Sequence, residues 1–226
     1  MIAENLKLIQ NKITALAQEY NVEPPKIIAV SKNHSIQSIQ EAYACGIRDF
    51  GENRVQELIS KVPHLPKDIK WHLIGNLQTN KVKYIAEFIH LIHSVDSEKL
   101  LKEIQKNALK YQRTLQVLIQ INISSEPQKN GCSYEEAEQL LKILPHYPNV
   151  KVLGLMGIAE DTENKNIIFE QFKQLYDFFE KCKALENKQI QMKELSIGMS
   201  GDYDLAIKAH STMIRIGTAI FGNRNY

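Results

Sequence analysis

Three cysteines in 226 residues, none of them in a C-x-x-C pair, exclude a disulfide scaffold. Bridging any two of Cys45, Cys132 and Cys182 would leave one over, so all three are expected as reduced thiols, with the cytoplasm as the expected location. Arginine is scarce: five of the 28 basic residues, with 26 acidic residues against them, a net charge of +2 and no block of like charges. A nucleic-acid footprint is therefore not expected. Ten glycines and seven prolines are too few for a collagen-like or low-complexity chain. No window approaches eighteen uncharged apolar residues, and the opening MIAENLKLIQNK mixes charges into its apolar pattern, so neither a membrane span nor a signal peptide is expected. What remains is a chain with 43% hydrophobic residues, long enough to bury a core without metal or disulfide support. No linker or shift of composition divides it, and one domain over 1–226 is expected.

Ile2, Leu6, Ile9, Ile13, Leu16 and Tyr20 alternate in steps of four and three, the stripe of a helix that should stop before Pro24 and Pro25. Strand-like runs then follow at 26–32, 47–53, 71–76, 88–95, 115–124, 152–159, 194–200 and 213–222. Between them lie helical patterns at 35–45, 54–62, 78–87, 97–112, 133–147, 165–188 and 203–211, the fifth opened by the capping box Ser133-x-x-Glu136. The stripe Ile168, Phe172, Leu175, Phe179, Cys182 reads as core rather than as a cofactor-binding face. Eight strands apolar on both faces and alternating with helices argue for an α/β fold, a single TIM-type (β/α)8 barrel with an extra N-terminal helix. An open doubly wound sheet is the rival. Closure is favoured because the eighth run has no helix after it and the helix at 3–20 stands ready to fill that gap.

Barrels of this kind place their chemistry at the C-terminal ends of the strands. There the runs end in Ser31-Lys32, Glu52-Asn53, Asn76, Ser94, Asn122–Ser124, Gly157, Ser200-Gly201, and Arg215 with Gly217-Thr218. Alternation along the first run puts Lys32 on the side of Ile28 and Val30, the barrel interior. Desolvation there would lower the pKa of its ammonium and yield an amine able to attack a carbonyl, unless the side chain simply snorkels to water. Ser200-Gly201 and Gly217-Thr218 stand at the seventh and eighth strands, where β/α barrels build phosphate sites; each glycine could equally serve a turn or close packing. Arg215 shares a face with Gly217 and, buried, needs a partner: an ion pair with Asp202 or Glu52, or an acceptor on a ligand such as an unprotonated pyridine nitrogen. An aldehyde trap, a phosphate cradle and a ring-nitrogen partner on one barrel mouth together describe a site for pyridoxal 5'-phosphate. No metal site is expected: His90 and His93 are three apart on a strand pattern and face opposite sides, and His72 reads as a satisfied core histidine.

Several blocks in order, AVSK (29–32), FGENRVQE (50–57), WHLIGNLQTNK (71–81), INISSEPQKNG (121–131), GLMGIAE (154–160), LSIGMSGDYDLAI and STMIRIGTAIFG, resemble the YggS/PROSC family of pyridoxal phosphate homeostasis proteins, relatives of the barrel domain of alanine racemase. That resemblance implies a monomeric barrel with the cofactor held as an aldimine on Lys32. It further implies phosphate binding by Ser200 with the backbone around Gly217 and Thr218, Arg215 beside the pyridine nitrogen, and Asn53 near the ring. It also implies a role in cofactor homeostasis and delivery, with apoenzymes as recipients and no catalytic turnover. The chain departs from the family's usual pattern at Gly157, Glu160 and His210, where relatives often carry threonine, proline and glycine. Two alternatives have other chemistry. A racemase would need a second acid/base opposite Lys32, which related racemases take from another domain and subunit. A Schiff-base aldolase acting on a sugar phosphate would bind no chromophore.

Overall fold

The computed structural model describes residues 1–124, 126 and 130–222, so Ser125, Pro127, Gln128 and Lys129 of the INISSEPQKNG segment lie outside it. Helix α1 (Ile2–Tyr20) buries Ile2, Leu6, Ile9, Ile13 and Ala17 and ends where Asn21 turns left-handed. Eight strands follow: β1 (Lys26–Val30), β2 (Asp49–Glu52), β3 (Lys70–Leu73), β4 (Leu91–Val95), β5 (Leu115–Ile121), β6 (Val150–Gly157), β7 (Ile190–Met199) and β8 (Met213–Ile216). All pair in parallel, in sequence order, and β8 closes on β1 with Ile28 opposite Arg215. The fold is thus a closed (β/α)8 barrel, as the alternation of runs and helical patterns implied, and the open-sheet rival falls.

The outer layer consists of α2 (Ile36–Ala44), α3 (Val55–Lys61), α4 (Glu98–Lys110), α5 (Tyr134–Ile143), α6 (Lys165–Cys182), α7 (Tyr203–Lys208) and α8 (Thr218–Phe221). Between β3 and β4 the connection at Thr79–Tyr84 is a tighter 3-10 turn. Ser133 and Glu136 form the capping box reciprocally, at 3.2 and 2.8 Å. In α6 the stripe of Ile168, Phe172, Leu175, Phe179 and Cys182 is buried against the sheet. The three cysteines are free, and burial pushes the Cys132 and Cys182 thiols up to about 12 and about 11. The core divides in two: a large layer between sheet and helices, and a small plug inside the barrel made by Ile28, Leu91, Leu118, Met156 and Met213.

One expectation is corrected. The eighth strand stops at Ile216 instead of running to 222, and the residues after it form α8. Gly217, with φ −114° and ψ −79°, leaves the strand conformation, and its carbonyl accepts the N–H groups of Ile220 and Phe221. Ile220 is fully buried, and its carbonyl accepts the Asn5 side-chain amide at 2.9 Å, so α1 packs on α8 rather than standing in for a missing helix.

Gly154 shows how the sheet bends to close. It sits at φ +150° where the pairing of β6 shifts register with both neighbours, and a Cβ built on it would lie 1.9 Å from the Glu194 carbonyl oxygen. Gly154→Ala is therefore expected to cost about 2–3 kcal/mol from strain and overpacking, read as a lower urea midpoint with an unchanged m-value.

Candidate functional site

At the C-terminal ends of the strands, Val30, Lys32, Asn53, Ser200, Arg215 and Gly217 surround a cavity of about 320 Å3, closed by His34, Ile74, Ile158, Met199, Gly201 and Thr218. All six residues singled out from the sequence, Lys32, Asn53, Ser200, Arg215, Gly217 and Thr218, line it. Asn76, Ser94 and Asn122–Ser124, also read as strand-end polar groups, do not. The volume falls in the range of small-ligand sites, about 300–1,000 Å3.

Lys32 lies two residues beyond the end of β1, half-buried, in a loop pinned on both sides. Before it, the Ser31 N–H donates to the Gly51 carbonyl and the Ser31 hydroxyl to Glu52 Oε1 at 2.7 Å. After it, the Asn33 N–H donates to Glu57 Oε1 at 2.5 Å. Lys61, the last residue of α3, joins the two sides: its Nζ donates to the Ser31 carbonyl at 2.8 Å, Glu52 Oε1 at 2.7 Å and Glu57 Oε1 at 2.6 Å. Glu52 is fully buried, and desolvation raises its pKa even against the pull of Lys61. This buried ion cluster was not recognised in the sequence. The Glu57–Lys61 spacing of four was there to find, but a surface helical pair has the same spacing.

The turn into α8 brings a hydroxyl and backbone N–H groups together in the cavity wall. Ser200 Oγ accepts the N–H groups of Gly217 at 3.3 Å and Ala219 at 3.5 Å, which aims backbone donors and a hydroxyl at one point. The first N–H groups of a helix have no partner within it, and α8 opens at Thr218 in the cavity wall. A Cβ on Gly201 would meet only open space, so the turn before α7 leaves room above the cradle. Asp202 Oδ1 accepts the Met199 N–H at 2.5 Å and holds that turn in shape.

Arg215 is 4% exposed and forms no ion pair with Asp202, Glu52 or any other carboxylate among the described residues. Its Nη1 donates to the Ser196 carbonyl at 2.7 Å and hydroxyl at 2.8 Å, and its Nη2 to the Gly157 carbonyl at 3.0 Å. Burial lowers its pKa to about 10, which still leaves it charged at neutral pH. Three of its five N–H groups are taken. The Asn53 side-chain oxygen is buried at the same cavity with no partner among the described residues. Unspent donors on Arg215 and an unspent acceptor on Asn53 leave the hydrogen-bonding of the cavity incomplete without a polar ligand.

The departures fall outside this lining. A Cβ at Gly157 would strike Leu175 and Ile123 in the outer layer, so the position offers Arg215 its carbonyl and directs no side chain at the cavity. The Glu160 N–H donates to Gln171 Oε1 on α6 at 2.9 Å. His210 takes φ +61°, the conformation glycine adopts most cheaply, and stacks on Tyr176 at 4.6 Å. His72 is a satisfied core histidine, bonded to Asp49 and His93.

The family model described as alanine racemase, N-terminal domain, matches residues 4–225. A pyridoxal phosphate homeostasis protein of Aquifex aeolicus is 41% identical over 202 residues, covering 89% of this chain and 88% of that one. The structure of PipY of Synechococcus elongatus with pyridoxal phosphate bound superposes with a TM-score of 0.85 at 35% identity, covering 98% of this chain and all of that one. An alanine racemase of Bartonella henselae, at 16% identity and a TM-score of 0.70, shares the fold. With identity of this order along nearly its whole length, the chain belongs to the pyridoxal phosphate homeostasis protein family, on the alanine racemase N-terminal barrel.

Proposed function

We propose that the protein binds pyridoxal 5'-phosphate in this cavity, holds it reversibly through Lys32 and releases it to apoenzymes that need it, as part of cofactor homeostasis. One observation carries the reading: a primary amine, a backbone-and-hydroxyl anion cradle and a buried donor-only guanidinium converge on one cavity of cofactor size. The PipY structure with the cofactor bound, and the names of the relatives, support it. When bound, the cofactor supplies an aldehyde that condenses with a primary amine and releases water, which makes retention covalent yet reversible.

Each residue has its part. Ser200, Gly217 and Thr218 would hold the phosphate through hydroxyls and backbone N–H groups, neutral donors that bind an anion without a cation that would hinder its release. Arg215, which has no lone pair and can only donate, would hydrogen-bond to the ring nitrogen and so keep it unprotonated. Asn53 would offer its unpartnered oxygen to a polar group of the ligand, and Ile74, Ile158 and Val30 would shield the ring from water. No turnover is assigned to the site, because Lys32 serves only one face of a bound ring and racemisation needs an acid/base on each.

The test is transfer: cofactor loaded on the protein should reach a defined apoenzyme faster than an equal amount of free cofactor, and equal or slower transfer would refute delivery. Racemisation of alanine that disappears in Lys32→Ala would replace the carrier reading with an enzymatic one. Arg215→Glu should weaken cofactor affinity roughly 10–100-fold, the loss of a charge-assisted hydrogen bond of about 1.5–3 kcal/mol. A folded variant, by circular dichroism, with unchanged affinity would show that Arg215 does not face the ring nitrogen.

A further inference from the structure

The interior of the barrel holds an unbroken row of polar side chains, from Asp49 at the opposite, N-terminal end of the strands to Arg215 in the cavity. His72 Nε2 lies 3.0 Å from Asp49 Oδ1, and His72 Nδ1 lies 2.8 Å from His93 Nε2. His93 Nδ1 lies 3.0 Å from Ser196 Oγ, which is 2.8 Å from Arg215 Nη1. His72, His93, Ser196 and Arg215 are all buried, and β2, β3, β4, β7 and β8 each contribute one member.

The direction of these bonds follows from the two ends. Arginine has no lone pair, so Arg215 donates to Ser196 Oγ. The serine proton has one remaining partner among the described residues and goes to His93 Nδ1. A neutral His93 then carries its proton on Nε2 and donates to His72 Nδ1, which puts the His72 proton on Nε2, pointing at Asp49. From the other end, the Asp49 carboxylate only accepts and demands the same His72 proton. Both ends thus impose one direction. Burial, with Asp49 opposing it at His72 and the Arg215 charge adding to it at His93, lowers both histidine pKa values and keeps both rings neutral.

We infer that Asp49, His72, His93 and Ser196 are positioning residues for Arg215: a hydrogen-bond chain of fixed direction that occupies its Nη1 edge and turns the remaining N–H groups to the cavity as pure donors. The site thereby selects ligands that present an acceptor nitrogen over a protonated ring. The inference rests on the cofactor reading for the identity of that ligand, whereas the direction of the chain does not. Lys26, Lys70, Glu194 and His90 also face this end of the row, with the His90 ring 5.3 Å from that of His72. Asp49, His72 and His90 bring three potential ligand atoms within 4.8 Å, but the chain places a proton on the His72 nitrogen that a metal would need.

The test is nitrogen-15 NMR of the ligand-free full chain, with affinity for pyridoxal 5'-phosphate measured alongside. Both rings should be neutral at pH 7 with the proton on Nε2. Asp49→Ala alone should leave the His93 proton on Nε2, because Arg215 and Ser196 still fix it, whereas Asp49→Ala combined with Ser196→Ala, which removes both constraints, should mix the two His93 forms and weaken cofactor affinity about tenfold, equivalent to about 1.4 kcal/mol. Asp49→Asn in the Ser196→Ala background, whose amide oxygen accepts the same His72 proton, should return His93 to the Nε2 form. If the double variant does not fold, Ser196→Ala alone should weaken affinity while the His93 proton stays on Nε2, held from the Asp49 end. A His93 proton found on Nδ1 in the unaltered protein, or an unchanged His93 spectrum and affinity in the double variant, would overturn the inference. Tautomers as described in a protein that binds no cofactor would leave the chain standing and refute the proposed function instead.

Discussion

Lys32→Ala is expected to leave a folded barrel that no longer forms a borohydride-reducible adduct with pyridoxal 5'-phosphate. The loop containing Lys32 is held on both sides by bonds to Ser31 and Asn33, which the substitution leaves in place, so the fold should survive it. The cradle at Ser200 and the Arg215 guanidinium remain, so residual binding should be noncovalent and weaker. Thermal melting gives a second readout. A ligand at a hundredfold excess over its Kd stabilises the native state by about 2.7 kcal/mol, which raises Tm by about 5–10 °C for a chain of this size. The unaltered protein should show that rise and Lys32→Ala much less of it at the same concentration. Mass spectrometry of reduced protein should locate the adduct on Lys32, and an adduct on Lys81 or Lys129 would refute the placement.

Lys61→Ala should be the most destabilising of the substitutions considered, by about 3–5 kcal/mol at neutral pH, because it strands a carboxylate in the interior. Glu52 is wholly buried, one of its oxygens already lacks a partner, and Lys61 supplies the only positive charge bonded to the other among the described residues. The loss should depend on pH in a definite direction. Burial raises the Glu52 pKa in the folded protein, so the folded state binds more protons than the unfolded chain, and stability falls as pH climbs from the usual carboxylate range toward neutrality. Without Lys61 that rise in pKa is larger, so the deficit should be greatest at pH 7–8 and shrink toward pH 4–5, where the buried carboxyl takes up a proton in the folded protein and no charge is stranded. Urea unfolding at the two pH values checks this, and an equal deficit at both would mean that the lysine contributes packing alone. Slower adduct formation at Lys32 should accompany the loss, because the same ammonium ties down Ser31.

The barrel was legible because the strands are mostly buried on both sides and read as largely apolar runs, while the intervening helices repeat every three to four residues. The misreading at 217–222 has the same origin: Ala219, Ile220 and Phe221 continue an apolar run, and apolar character does not distinguish a strand from one buried turn of helix. The residues that line the cavity could be picked out because they are chemically conspicuous at strand ends. Lys61, Ser196 and His93 were not, since each looks ordinary in sequence. A lysine ending a helix, a serine inside a strand and a histidine on an apolar face acquire their roles only when closure brings β2, β3, β4 and β7 around one axis. Pairing Arg215 with Asp202 or Glu52 failed because Glu52 bonds Lys61 and Asp202 caps its own turn.

The seam where β1 meets β8 has a consequence for synthesis. Lys32 is translated long before Arg215 and the residues at 200–219 that share its cavity. Until β8 docks on β1, the chain holds this lysine without the groups that the proposed binding needs beside it. On the proposed reading, colour on adding cofactor should therefore report a closed barrel.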